Sequence, residues 1–166
     1  MFSLIRIGHL PILHSTGHET GRTLLRQMYR ELRGTEPPEL AVSDRGKPYF
    51  PGSPVYFSIT HTPHHAFCVL SDTPVGIDAE ELGRSVSPKL ARKVLSAAEL
   101  ARYEQAADPG EAFLRMWVLK EALVKCSGDG LRGYPNFTDF SPEDPRIQVL
   151  EGCFVAILTK EDSHAL

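Results

Sequence analysis

The sequence predicts a mixed α+β fold whose two halves repeat a similar order of elements. Three observations carry that reading. Helix-periodic stretches run over Glu19–Leu32 and Glu111–Cys126. Short apolar runs at Val55–Ile59, Ala66–Leu70, Val75–Glu80 and Cys153–Thr159 have the length of strands. The order is then strand, helix, strand pair, followed by strand, helices, strand.

Leu4–Leu13 alternates loosely between apolar and polar residues and opens the chain as a strand. Glu19–Leu32 places Leu24, Leu25, Met28, Tyr29 and Leu32 on one helical face and stops near Gly34. Gly34–Pro54 holds five prolines and three glycines, so it reads as a long loop, a feature that in a small domain usually serves function. Val55–Ile59 and Ala66–Leu70 flank the turn Thr60-His61-Thr62-Pro63, and Val75–Glu80 is a further strand. Ser87-Pro88 opens a helix with serine as N-cap and proline at the first helical position. Ser96-Ala97-Ala98-Glu99 has the capping-box pattern of a second helix start. Glu111–Cys126 is a long helix closed by Gly128, and Cys153–Thr159 is a last apolar strand. The resemblance between Ala66–Leu70 and Cys153–Ile157 is too weak to prove a duplication.

A chain of 166 residues suits one compact domain, read here as 1–166 with halves of about 1–72 and 73–166. The balance of 18 basic against 21 acidic residues, net −3, argues against a general nucleic-acid binder. No apolar run approaches the roughly 20 residues that cross a bilayer. Arg6 and His9 interrupt the stretch where a signal peptide needs an apolar core. Cys68, Cys126 and Cys153 are odd in number and widely spaced, which fits a reducing compartment. The expected setting is the cytoplasm.

Three places put polar or charged groups where the pattern calls for apolar ones. In Val75-Gly76-Ile77-Asp78-Ala79-Glu80, the two carboxylates share a strand face about 7 Å apart, with no cation in the strand beside them. Such a pair suits a hard, oxygen-seeking ion such as Mg²⁺, or simply marks the polar face of a half-exposed strand. In Phe113–Lys125, apolar residues cover nearly the whole helical circumference, so Lys120, Glu121 and Lys125 fall on a helix that should be buried. A Glu121–Lys125 pair four residues apart would account for two of these charges and leave Lys120 unexplained. In Ser58-Ile59-Thr60-His61-Thr62-Pro63-His64-His65, hydroxyls, backbone donors and an imidazole can hold a phosphate. A zinc site on His61 and His64 lacks a cysteine pair, and exposure accounts for His64 and His65.

Together these features point to phosphate chemistry with a divalent metal. The segments Gly46-Lys47-Pro48, Ser58-Ile59-Thr60-His61, Gly76-Ile77-Asp78-Ala79-Glu80, Trp117-Val118-Leu119-Lys120-Glu121-Ala122-Leu123-Val124-Lys125 and Gly128-Asp129-Gly130-Leu131 resemble, in order and spacing, the 4′-phosphopantetheinyl transferases of the two-lobed, surfactin-synthetase-activating type. The resemblance covers about Arg45 to Leu131, roughly half the chain. It implies an α+β fold of two pseudo-repeated lobes, each with a long helix packed on a small antiparallel sheet, and coenzyme A (CoA) in the cleft between them.

By position, the resemblance implies Asp78, Glu80 and Glu121 as ligands of Mg²⁺, with Mn²⁺ as the alternative ion. Glu121 would activate the carrier-protein serine, and Lys125, with Lys120 beside it, would contact phosphate. Arg45, Gly46, Lys47, Thr60 and His61 would bind CoA, with Thr60 standing where the family usually has serine. The chain is shorter than the usual two-lobed members, mostly in its first part, which offers no basic pair for the CoA 3′-phosphate; Arg6 and Arg22 are weak candidates there. An acidic acyl or peptidyl carrier protein would dock on Arg84, Lys89, Arg92 and Lys93, and one chain carrying both lobes would be a monomer. Two competing readings are a metal-dependent phosphodiesterase or nucleotide hydrolase, and a non-catalytic relative that binds CoA or a carrier protein.

Overall fold

The computed structural model describes residues 4–128 and 138–163. The chain begins with strand β1 (Ile5–Pro11) and helix α1 (Gly17–Arg33). Thr16 caps α1 and exchanges hydrogen bonds with Glu19, a complete capping box that starts the helix two residues before its periodic pattern becomes visible.

The proline-rich stretch expected as a loop contains a small hairpin. Strands β2 (Ala41–Val42) and β3 (Pro48–Tyr49) pair antiparallel. The amide of Ser43 donates to the Lys47 carbonyl, and the amide of Lys47 donates to the Ser43 hydroxyl. Strands β4 (Tyr56–His61) and β5 (His65–Ser71) follow, and the order β1-β5-β4 makes an antiparallel sheet. Leu24, Leu25, Met28 and Tyr29 of α1 bury against Phe57, Cys68 and Leu70 of that sheet, with Phe50 and Val55 filling the gap.

After a short turn the second half repeats the plan. Strand β6 (Val75–Glu81) leads to helices α2 (Pro88–Val94), α3 (Ala97–Gln105) and α4 (Pro109–Ser127). Strands β7 (Ile147–Leu150) and β8 (Cys153–Thr159) and a final turn of helix, α5 (Lys160–Ser163), complete it. The order β6-β8-β7 is again antiparallel. Helix α4 packs on this sheet through Phe113, Met116, Leu119 and Leu123, with Phe154, Ala156 and Leu158 among its partners.

The two sheets meet face to face. Phe67 and Val69 of β5 pack with Val75, Ile77 and Ala79 of β6 and Cys153 and Val155 of β8, all nearly fully buried. The layers are therefore α1, sheet, sheet, α4. This alternation decides where chemistry can sit. Val75, Ile77 and Ala79 point into the apolar seam, so Gly76, Asp78 and Glu80 point the other way, toward α4.

Candidate active site

Helix α4 lies unusually close to β6 because of one missing side chain. A Cβ built on Gly76 would stand 2.0 Å from the Ala122 carbonyl oxygen and 2.4 Å from the Cys126 amide nitrogen. Both are helix backbone, so only glycine permits this approach. It brings the stripe Trp117, Glu121, Lys125, spaced four residues apart, over the polar face of β6.

The contacts along that stripe are specific. Lys125 Nζ donates to Asp78 Oδ1 at 2.7 Å, and the Thr60 hydroxyl donates to the same oxygen at 3.1 Å. Arg84 donates to Glu80 Oε1 at 2.5 Å, and the Trp117 side chain also hydrogen-bonds Glu80. The Ile77 amide donates to the Ser58 hydroxyl at 3.1 Å, which with Thr60 stitches β4 to β6 across the seam. The strand pair expected to lack a cation has two, Lys125 from α4 and Arg84 from the turn after β6. That is a correction, and its cause is tertiary: neither cation is visible from the strand alone.

Burial dominates the electrostatics. Asp78 is 6% exposed, and loss of water pushes its carboxyl above the ordinary range despite the opposing pull of Lys125 and Thr60. Glu80 is raised too, first by burial and then by the nearby Asp78 charge, with Arg84 and Trp117 opposing. The second oxygen of Asp78, Oδ2, is buried without a hydrogen-bond partner. Leaving such an oxygen unsatisfied is costly, and the Asp78 charge beside Glu80 raises the pKa of the latter. Both observations fit a hard divalent cation, for which Asp78 and Glu80 are suitable oxygen donors. Among the described residues, no cluster of three or more His, Cys, Asp or Glu side chains stands gathered to hold a metal ion.

Two cavities flank Lys125. One, of about 290 Å³, is lined by Arg45, Gly46, Lys47, Phe57, Ser58, Ile59, Glu121, Val124, Lys125 and Gly128. The other, of about 490 Å³, is lined by Ile59, Thr60, His61, Thr62, Asp78, Glu80, Arg84 and Lys125. Ile59 and Lys125 border both, so the cavities are two ends of one cleft between the halves. The His61 ring packs on the start of α1, where a Cβ at Gly17 would stand 2.4 Å from Nδ1.

Most residues singled out in the sequence therefore line this cleft, and Lys120, Lys47 and His65 have different surroundings from those expected. Lys120 lines neither cavity. It is fully buried, with Nζ 2.7 Å from Glu99 Oε1 and 2.6 Å from the Thr138 hydroxyl. Placing it on the transferred phosphate is corrected by this geometry: it lies on the α3 side of α4, away from the stripe that faces β6. Lys47 borders the first cavity, but its Nζ donates to the carbonyls of Val75 and Cys126, both at 3.3 Å, and burial lowers its pKa. It latches the β2–β3 hairpin to the end of α4. The residues Asp129–Leu131 of the last motif lie outside the described residues. His65 is half-buried against His9 and Phe67, not simply exposed, and His64 pairs with Glu81 at 2.8 Å. The roles of Ser58 and Trp117 were not legible, since a hydroxyl pinning two strands and an indole holding a carboxylate depend on distant neighbours.

The family model described as the 4′-phosphopantetheinyl transferase superfamily matches residues 74–164, which include β6 and α4.

The chain belongs to the 4′-phosphopantetheinyl transferase superfamily.

It is similar to the 4′-phosphopantetheinyl transferase of Bacillus subtilis, 30% identical over 158 residues, spanning 88% of this chain and 70% of the relative. It is also similar to 4′-phosphopantetheinyl transferase psf-1 of Bacillus pumilus, 30% identical over 130 residues, 75% of this chain and 55% of that one. The transferase AcpT of Salmonella typhi is 35% identical over 113 residues, 65% of this chain and 56% of its own length. The chain thus spans just over half the length of the last two. Among its described residues, no helix is long and apolar enough to cross a membrane.

Proposed function

We propose that this transferase moves the 4′-phosphopantetheine arm of CoA onto a serine of an acyl or peptidyl carrier protein, releasing 3′,5′-ADP, in the cytoplasm and as a monomer. The observation that carries the reading is the meeting of Lys125 and Asp78 at 2.7 Å in the cleft between the halves, with Asp78 Oδ2 buried and unpartnered.

The serine oxygen attacks the β-phosphorus of CoA, the bond from that phosphorus to the bridging oxygen breaks, and 3′,5′-ADP leaves with that oxygen. Glu121, in the cleft wall, takes the serine proton directly or through a water. Lys125 sits where it can offset charge on the transferred phosphoryl oxygens. Asp78, Glu80 and Glu121 would hold Mg²⁺, or Mn²⁺, which when bound supplies positive charge to the pyrophosphate. Lys125 and Arg84 hold Asp78 and Glu80 in place in the cleft wall.

Arg45 and Gly46 line the cavity that suits the nucleotide end of CoA, with Lys47 holding their hairpin in place. Thr60 and His61 line the other end and suit the 3′-phosphate. Lys89, Arg92 and Lys93 are exposed on α2, and with the exposed Arg84 they form the basic surface for an acidic carrier protein.

Glu121→Gln tests the assignment. It removes the base while keeping shape, so CoA affinity by calorimetry stays within a few fold while turnover falls on the order of 100-fold or more. Turnover at the wild-type level would remove Glu121 from the chemistry.

A further inference from the structure

Among the described residues, a fully buried ion pair lies outside the cleft. Lys120 and Glu99 are both fully buried and 2.7 Å apart. Glu99 accepts from the Ser96 amide at 2.9 Å, the Thr138 hydroxyl at 2.9 Å and the Phe140 amide at 3.1 Å. Lys120 also reaches the Thr138 hydroxyl at 2.6 Å. One carboxylate and one ammonium therefore tie together the start of α3, the middle of α4 and the segment at 138–140.

Stability alone is a weak reason to keep such a pair. Removing two charges from water is expensive, and apolar replacements of the same volume are often as stable. What a buried, directional network supplies is geometry. Lys120 precedes Glu121 in the chain and projects about 100° around the helix from it. A pin at that angle opposes rotation of α4 about its own axis. With side-chain tips about 5–6 Å from the axis, a rotation of about 10° moves the tip of Glu121 or Lys125 by about 1 Å. On the β6 side the Gly76 approach and the Lys125–Asp78 bond hold α4, and on the α3 side the directional polar pin is Lys120 on Glu99.

We propose that the Lys120–Glu99 pair is a positioning device for catalysis: it sets the rotation of α4, and so aims Glu121 and Lys125 at the β6 carboxylates. This rests on the transferase reading above, in which Glu121 and Lys125 act on the substrate. Misplacement of about 1 Å in a catalytic group costs on the order of 100-fold in rate.

The test uses the full chain. Lys120→Met with Glu99→Gln removes both charges together, and the glutamine carbonyl can still accept from one of the two amides, Ser96 or Phe140, that reach different Glu99 oxygens. Thr138→Val, a nearly isosteric change, weakens the same network and guards against the double variant failing to fold. Melting temperature, kcat, KM for CoA and the emission of Trp117, the sole tryptophan, are measured in parallel. The expected result is a folded double variant with kcat down roughly 10–100-fold, KM within a few fold and a shifted Trp117 emission. Thr138→Val shows a smaller fall in the same direction.

Wild-type kcat and emission in these variants would overturn the proposal. So would kcat and melting temperature falling together with Trp117 emission unshifted, which marks a purely structural pair. A wild-type protein without transferase activity would instead refute the underlying reading, and Trp117 emission would still report whether the pair sets the helix.

Discussion

Gly76→Ala is the sharpest perturbation of the account, because its consequence follows from distances. The added Cβ meets the Ala122 carbonyl oxygen at 2.0 Å, the Cys126 amide nitrogen at 2.4 Å and the Cys126 Cα at 3.0 Å. Ordinary contact begins near 3.4 Å, and none of these atoms can swing aside as a side-chain tip would. Strand and helix must part by more than an ångström. Lys125 lies between Ala122 and Cys126 in the chain, so its 2.7 Å bond to Asp78 stretches beyond hydrogen-bonding range. Overpacking of this kind costs about 1–3 kcal/mol, and at about 2–4 °C per kcal/mol the melting temperature falls by roughly 2–12 °C. Turnover falls further, on the order of 100-fold, because Glu121 and Lys125, the proposed catalytic groups, move away from their partners. Thermal unfolding and carrier-transfer kinetics measure the two effects separately. Gly110→Ala in the first turn of α4, where the new Cβ has only a 3.4 Å contact with Asp108, serves as the neutral control. A Gly76→Ala protein with wild-type melting and wild-type turnover would refute the claim that close approach of α4 builds the site.

The remaining predictions concern the charges around that approach. Burial raises the Asp78 pKa in the fold, so the stability this carboxyl contributes is complete below its unfolded value and is lost as pH rises through the raised one. Asp78→Asn, neutral throughout, is therefore expected to melt above the metal-free wild type at pH 7.5, with the difference vanishing in acid, while transfer is abolished. A melting temperature well below wild type at pH 7.5 would show that the Lys125 bond outweighs burial. Lys47→Met deletes two 3.3 Å hydrogen bonds from an ammonium to the Val75 and Cys126 carbonyls. Their loss, about 1–2 kcal/mol, lowers the melting temperature by a few degrees. Unchanged melting with a raised KM for CoA would return Lys47 to a direct phosphate role.

Much of this was written locally in the chain. The proline after Ser87 and the capping box at Ser96 and Glu99 mark helix starts, whereas the capping box at Thr16 and Glu19 starts α1 ahead of the apolar period read from Glu19. The alternation around Asp78 and Glu80 fixes which strand face is polar. The β2–β3 hairpin escaped notice because strands of two residues show no period, and its prolines read as loop. Strand β7, Ile147–Leu150, is likewise only four residues long, too short to show a clear period.

Partners were the least legible feature. Lys120 stood out on the helical wheel as a charge in an apolar sector, but its partner Glu99 lies 21 residues away and Thr138 follows 18 residues later. The same holds for Arg84, whose bond to Glu80 forms across a turn. Sequence spacing shows that a charge needs an explanation, whereas only the fold shows which neighbour supplies it.

The central claim is that the cleft transfers a phosphopantetheine arm with a metal held at Asp78 and Glu80. Its most direct test is the intact mass of an apo carrier protein after incubation with this chain, CoA and Mg²⁺, alongside a chelator control and the Asp78→Ala variant. The account predicts one added phosphopantetheine arm on the carrier serine with the wild-type chain and metal, and none in either control. Modification that persists with chelator and with Asp78→Ala would contradict the metal assignment. CoA consumption with an unmodified carrier would contradict the transfer itself and point to hydrolysis.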